Sequence, residues 1–194
     1  MPRLIIVDDH PLFRVGLGYA LRSLGFEVIA EASDGVEGVR RVTELKPDAV
    51  LLDAKMPRMD GLEACRQMIA ALPNLRVVLL TTFSEPALVH AARDAGASGF
   101  VSKETEAERL GQIVTRMLED SSYTLFPAVD LPKLSPRELE VLRLMTTGQS
   151  NKEIARSLGL SPDTVKDHLE NLYRKLEATD RVTAAKRAQQ LGLV

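Results

Sequence analysis

Cysteine occurs once in this 194-residue chain, tryptophan not at all, and aromatic residues make up only 4% of it. A lone cysteine, Cys65, excludes an internal disulfide and makes a reducing cytosol the expected home. It lies within a helical pattern beside Ala64, with no neighbouring His or Cys, and so reads as a packing residue rather than a nucleophile. Long hydrophobic runs are missing too. The aliphatic stretches stop at lengths such as "LIIV" (4–7) and "VVLL" (77–80), far short of the ~20 residues a membrane helix needs. No membrane partner is expected, and "MPRLIIVDDH" lacks the apolar core of a secretory signal. Charge of one sign is scarce overall, with a net of −2, but its distribution is uneven. Residues 1–120 hold 14 Lys/Arg against 18 Asp/Glu, whereas residues 134–194 hold 10 against 8. An acidic front and a mildly basic tail hint at a nucleic-acid partner for the tail.

Hydrophobic and charged residues, at 45% and 27%, stand in an ordinary globular balance. Short aliphatic runs recur at 4–7, 27–30, 49–52, 77–80 and 99–102, and amphipathic stretches follow at 12–24, 35–45, 61–71, 86–95 and 105–118. Strands this apolar are buried on both faces, as in a parallel sheet covered by helices. Five βα units predict a five-stranded, parallel, doubly wound α/β domain over residues 1–120, with its active residues at the carboxyl ends of the strands. Residues 121–133 interrupt the pattern with Pro127 and Pro132 and read as a linker. Only helical signals follow, over 134–194. Ser135 with Glu138, and Ser150 with Glu153, are capping boxes, and Pro136 and Pro162 stand at first helical positions. A helix at 150–158, a turn at Gly159–Leu160 and a helix from Ser161 make a helix-turn-helix. The final helix is expected over 181–194.

The chemistry collects at the predicted strand ends. Asp8 and Asp9 follow the first run and Asp53 follows the third. Two carboxylates about 5 Å apart repel by about 3 kcal/mol at an effective dielectric of 20. A hard divalent cation relieves this, and Mg²⁺ suits a site of carboxylates, waters and phosphate. Asp8 and Asp9 taken alone read better as caps of the following helix; Asp53, at the end of another buried strand, shifts the reading to the metal. Thr81 and Lys103 follow the fourth and fifth runs and add a hydroxyl and a compact cation. Together these groups describe phosphoryl transfer to a carboxylate, with Asp53 as nucleophile. Thr82 offers a second hydroxyl beside Thr81.

The segments "VDDH", "LLDAKMPRMDG", "LLTT" and "GFVSK" resemble the receiver domain of bacterial two-component response regulators. The resemblance implies a CheY-like sheet and phosphorylation of Asp53 by a sensor histidine kinase. It implies Mg²⁺ bound by Asp9, Asp53 and the backbone carbonyl of Lys55, with Asp8 acting through water. Thr81 and Phe100 match the switch positions and Lys103 the phosphate-binding lysine. Two departures stand out: Glu104, where a proline often follows the lysine, and Phe100, which lacks the hydroxyl of the tyrosine often found there. A plain core role for Phe100 fits the residues equally well.

Residues 134–194 resemble the four-helix LuxR-type, or NarL/FixJ-type, DNA-binding domain, in which the second helix of the helix-turn-helix enters the major groove and dimers span two half-sites. Along "SPDTVKDHLENLYRKL", Val165, Leu169, Leu172 and Leu176 share one face, with His168 at its edge. Lys152, Arg156, Thr164, Lys166, Asp167, Glu170, Asn171, Arg174 and Lys175 are the candidate double-stranded DNA contacts. Asp163 suits the first helical turn, Lys166 and Arg174 can balance Glu170, and Asp167 could accept from cytosine N4. Val182 and the residues near it on the last helix are divided between core packing and a dimer surface. The expected function is a transcription regulator that dimerises and binds DNA when Asp53 is phosphorylated, and not an enzyme. Two other readings compete: a regulator that captures proteins with a tail that no longer reads DNA, and a phosphatase-like hydrolase. The last lacks an Asp-x-Asp arrangement around Asp53 ("LDAKM").

Overall fold

The computed structural model describes residues 1–82, 86–128 and 131–194. Positions 129 and 130 of the expected linker lie outside the described residues. Two compact units divide the chain, one holding the sheet and most of the residues up to Ala128, the other holding the last four helices.

In the first unit the strands are β1 (Arg3–Val7), β2 (Glu27–Ala32), β3 (Ala49–Asp53), β4 (Arg76–Thr81) and β5 (Gly99–Ser102), all parallel, in the order β2-β1-β3-β4-β5. Every residue of β3 is buried, as its unbroken aliphatic run demands, whereas β2 at the sheet edge is only partly covered. The helices are α1 (Pro11–Ser23), α2 (Gly35–Leu45), α3 (Gly61–Ala71), α4 (Pro86–Asp94) and α5 (Ala107–Glu119). Successive strand residues face opposite sides. Leu4, Ile6, Leu51, Val78 and Leu80 pack with Leu17 and Leu21 of α1 and Leu110, Ile113, Val114 and Met117 of α5. On the other face, Gly38 of α2 lies so close to Val7 and Met68 that a Cβ there would collide with Val7 at 2.9 Å.

The fold brings strand ends together because β1 is flanked by β2 and β3, so the chain reverses its winding there and a crevice opens at the carboxyl ends. Gly61 holds the floor of that crevice: a side chain at this position would overlap the Asp53 carbonyl. Its amide donates to the Ala54 carbonyl at 3.1 Å, and the Asp60 carboxylate caps α3 by accepting from the Glu63 amide at 2.8 Å.

The second unit contains α6 (Pro136–Thr146), α7 (Asn151–Leu158), α8 (Pro162–Lys175) and α9 (Arg181–Gln190). Both predicted capping boxes are formed, with Ser135 and Ser150 accepting from the amides of Glu138 and Glu153 while the two glutamates bond back. Gly159 ends α7 at φ +65°, a left-handed turn that redirects the chain into α8. The core is Val141, Leu142, Met145, Ile154, Val165, Leu169, Leu172, Leu176, Ala184 and Ala188, with smaller neighbours. The last helix is shorter than the expected 181–194. Gly192 turns left-handed at φ +68°, and the Leu193 amide donates back to the Ala188 carbonyl at 3.0 Å, so Leu191 and Leu193 fold against the core instead of extending the helix.

Candidate functional site

Three strands deliver the acidic cluster. Asp8 leaves β1 fully buried, and Asp53 is the last residue of β3, 3% exposed. Lys103 follows β5, and its ammonium lies 2.7 Å from Asp53 Oδ2 and 2.8 Å from Asp8 Oδ2. The Lys55 amide donates to Asp53 Oδ1 at 3.1 Å, fixing the carboxylate plane. Thr81 is buried at the end of β4, beside β5, and its carbonyl accepts from the Lys103 amide at 2.7 Å. Thr82 is exposed. Phe100 sits in the middle of β5 as one of the largest fully enclosed side chains.

Burial raises the pKa of Asp53, outweighing the hydrogen bonds from Lys103 and the Lys55 amide; Asp8 nearby pushes the same way. Burial also works against the Lys103 ammonium, but hydrogen bonds to Asp53 and Asp8 prevail and lift its pKa. The Phe13 ring lies 5.1 Å from the same ammonium and closes its apolar side.

Sequence reasoning missed His10. Its Nδ1 lies 2.8 Å from Asp9 Oδ1, 3.3 Å from Asp8 Oδ1 and 3.9 Å from Asp53 Oδ2. The signal was adjacency in "VDDH", since the backbone that aims Asp8 inward also carries His10 over the crevice, where its amide donates to Asp8 Oδ1 at 2.8 Å. One ligand atom each from Asp8, Asp9, His10 and Asp53 lies within 4.8 Å of the others, a spacing that can hold a metal ion. Three carboxylates favour a hard, oxygen-seeking cation over one that prefers nitrogen.

In the second unit, α8 presents Lys166, Asp167, Glu170, Asn171 and Arg174 outward, and Lys152 and Arg156 are exposed on α7. Lys166 approaches Glu170 at 3.9 Å, while Arg174 donates to Asn171 Oδ1 at 2.7 Å rather than meeting Glu170. Asp167 is exposed and His168 half-buried, at the edge of the apolar face. Thr164 takes part in the helix cap, donating its amide to Ser161 Oγ at 3.1 Å. Lys175 is turned inward: its ammonium lies 2.7 Å from the buried Glu138 carboxylate and 3.0 Å from the Lys133 carbonyl.

Residues 4–115 match the response regulator receiver domain, and residues 132–188 match the luxR family of bacterial regulatory proteins. The chain belongs to the response regulators. Its helical tail is a LuxR-type DNA-binding domain, so this is a transcription regulator and not a typical enzyme. Among its relatives is the transcriptional regulatory protein LiaR of Bacillus subtilis, 36% identical over 214 aligned positions that cover 100% of both chains. The regulatory protein YhcZ of the same organism is 37% identical, covering 94% of this chain and 93% of YhcZ. A solved RcsB response regulator from Salmonella typhimurium, studied for its conformational dynamism in DNA interaction, superposes with a TM-score of 0.78 at 25% identity, over 96% of this chain and 98% of RcsB. Among the described residues of this response regulator, no helix is long and apolar enough to cross a membrane.

Proposed function

We propose that Asp53 is the phosphoacceptor of a cytoplasmic, phosphorylation-switched regulator of transcription. The observation that carries this reading is the Asp53 carboxylate itself: buried at a strand end, with one oxygen on the Lys103 ammonium at 2.7 Å and Asp8 beside it. A sensor histidine kinase presents a phosphohistidine. An Asp53 oxygen attacks the phosphorus, a P–O bond forms, and the P–N bond breaks to return the imidazole. Lys103 balances charge on the transferring oxygens, and Thr81 donates its hydroxyl to one of them. Asp9, Asp53 and the Lys55 carbonyl would hold Mg²⁺, with Asp8 acting through water. Once bound, the ion supplies charge neutralisation across the carboxylates and the phosphoryl group. The exposed Leu12, Val15 and Tyr19 on α1 give the kinase an apolar edge beside the crevice. The only chemistry assigned to the receiver is its own phosphorylation and dephosphorylation.

Phosphorylation adds about −1.5 to −2 of charge to the crevice. Thr81 and Lys103 move toward it, Phe100 repacks between them, and the altered surface favours a homodimer whose α8 helices enter successive major grooves. Lys152, Arg156, Lys166 and Arg174 contact phosphates, while Thr164, Asp167, Glu170 and Asn171 face the bases or the groove wall. Lys175, held by Glu138, contributes chiefly to the angle of α8.

Incubation with Mg²⁺ and a small acyl-phosphate donor tests the central step. Intact mass should show one added phosphoryl group on the wild-type chain and none on Asp53→Asn. An adduct that persists in Asp53→Asn would place the acceptor elsewhere.

A further inference from the structure

Beyond α5 the chain does not leave the receiver at once. Tyr123, Leu125 and Phe126 fold back along the outer edge of β5, within the segment that sequence alone marks as linker. Leu125 forms a parallel bridge with Gly99. The Phe100 amide donates to the Leu125 carbonyl at 2.8 Å, and the Leu125 amide donates to the Ser98 carbonyl at 3.1 Å. Gly99 makes the approach possible, because a Cβ there would stand 3.3 Å from the Leu125 carbonyl oxygen and 2.6 Å from Met117 Cε. Side chains extend the attachment to both neighbouring helices. The Tyr123 ring lies 4.3 Å from the Arg116 guanidinium of α5, and the Phe126 ring lies 4.8 Å from that of Arg93 on α4. Tyr123 and Leu125 also pack against the core beneath α5.

We infer that this strap is a latch on β5 that phosphorylation releases, an inference that rests on Asp53 as the phosphoacceptor. One end of β5 carries Lys103, already bonded to Asp53 and Asp8. A phosphoryl group on Asp53 draws the Lys103 ammonium off the two carboxylates and onto its own oxygens, so Lys103 shifts and carries the end of β5 with it. On its inner side β5 is paired with β4 along its whole length, from Val78–Gly99 to Thr81–Ser102. On its outer side it holds the strap at a single bridge. Local opening begins where the fewest backbone bonds and apolar contacts must be lost, and that place is the strap. Its two backbone bonds flank Gly99, and one of them is donated by the Phe100 amide, so repacking of this ring disturbs the strap at its bridge. Release moves the start of the connection to the helical unit from Ala128 back toward Asp120, which lengthens the tether of the DNA-binding domain. It also uncovers a strand edge with unpaired amides.

Hydrogen exchange of the Phe100 and Leu125 amides, measured on the full chain with Mg²⁺ and an acyl-phosphate donor, tests the latch. Intact mass is read from the same samples. The phosphorylated chain should exchange both amides about tenfold faster, within the range typical of coupled sites, and Asp53→Asn should stay at the resting rate. Leu125→Pro, which removes the donor to Ser98, should expose the Phe100 amide without any donor. Because the chain has no tryptophan, Phe126→Trp gives a second readout, with emission shifting to the red on phosphorylation. A phosphoryl adduct with unchanged or slower exchange at both amides overturns the latch and leaves the phosphoacceptor standing. Absence of the adduct overturns both.

Discussion

Cys65 and Lys103 show how far one side chain's surroundings decide its chemistry. Cys65 is fully buried, and burial pushes its thiol pKa up to about 12, so thiolate is scarce at neutral pH. The native chain should resist alkylation at pH 8, and the thiol should react at once after unfolding; rapid labelling of the folded chain would contradict this packing. Lys103 stands between two buried carboxylates. Lys103→Ala should slow phosphoryl uptake from a small donor about a hundredfold, the usual cost of losing one stabilising donor, as followed by intact mass over time. Asp8, Asp53, Thr81 and Lys103 were legible in the sequence because each stands at the end of an aliphatic run, and a parallel sheet brings such ends together. His10 was not legible in the same way. No periodicity marks it, and its place over the crevice follows from the backbone path after Asp8.

At the scale of elements, capping residues could be read in advance because their bonds are local. Ser135 and Ser150 close their boxes as expected. The second role of Glu138 could not be read, since it depends on a helix 37 residues away. Burial alone would raise its pKa, but the Lys175 and Ser135 hydrogen bonds win and hold it below the ordinary range. A lowered carboxylate pKa stabilises the fold above the unfolded value and loses that contribution as pH falls through the folded one. The unfolding temperature of the helical unit should therefore drop as pH falls below about 4, and Glu138→Gln should flatten that dependence. The same substitution should cost about 2 kcal/mol at pH 7, seen in a urea titration; an unchanged midpoint would show that the pair adds nothing. The strap and the early end of α9 were equally hidden. Leu125 pairs through a single bridge, too short to make a period, and the Gly192 turn takes its meaning from the core that Leu193 reaches.

At the scale of the whole molecule, the division into an acidic receiver and a mildly basic tail was visible in the charge distribution, as was the parallel sheet in its five aliphatic runs. Lys175 is the instructive limit. Helical periodicity places it among the DNA-facing cations, yet tertiary structure turns it onto Glu138. Four exposed cations then remain on each copy, Lys152, Arg156, Lys166 and Arg174. Four phosphate contacts per copy, eight for the bound pair, correspond to a slope of about −7 in log affinity against log salt, and Arg174→Ala should reduce it by about 2. A slope near zero would remove the phosphate contacts from the account. On the proposed reading, acids on α8 would keep nonspecific affinity low and leave specific binding dependent on pairing two copies, where a phosphorylation switch would act most strongly.

The most direct test of that switch is recovery of bound fragments from sheared genomic DNA by wild type and Asp53→Asn, each with Mg²⁺ and an acyl-phosphate donor. Phosphorylated wild type should enrich a shared sequence with two half-sites about one helical turn apart, and Asp53→Asn should not. Equal enrichment by both proteins would contradict phosphorylation as the control, and enrichment by neither would contradict DNA reading by α8.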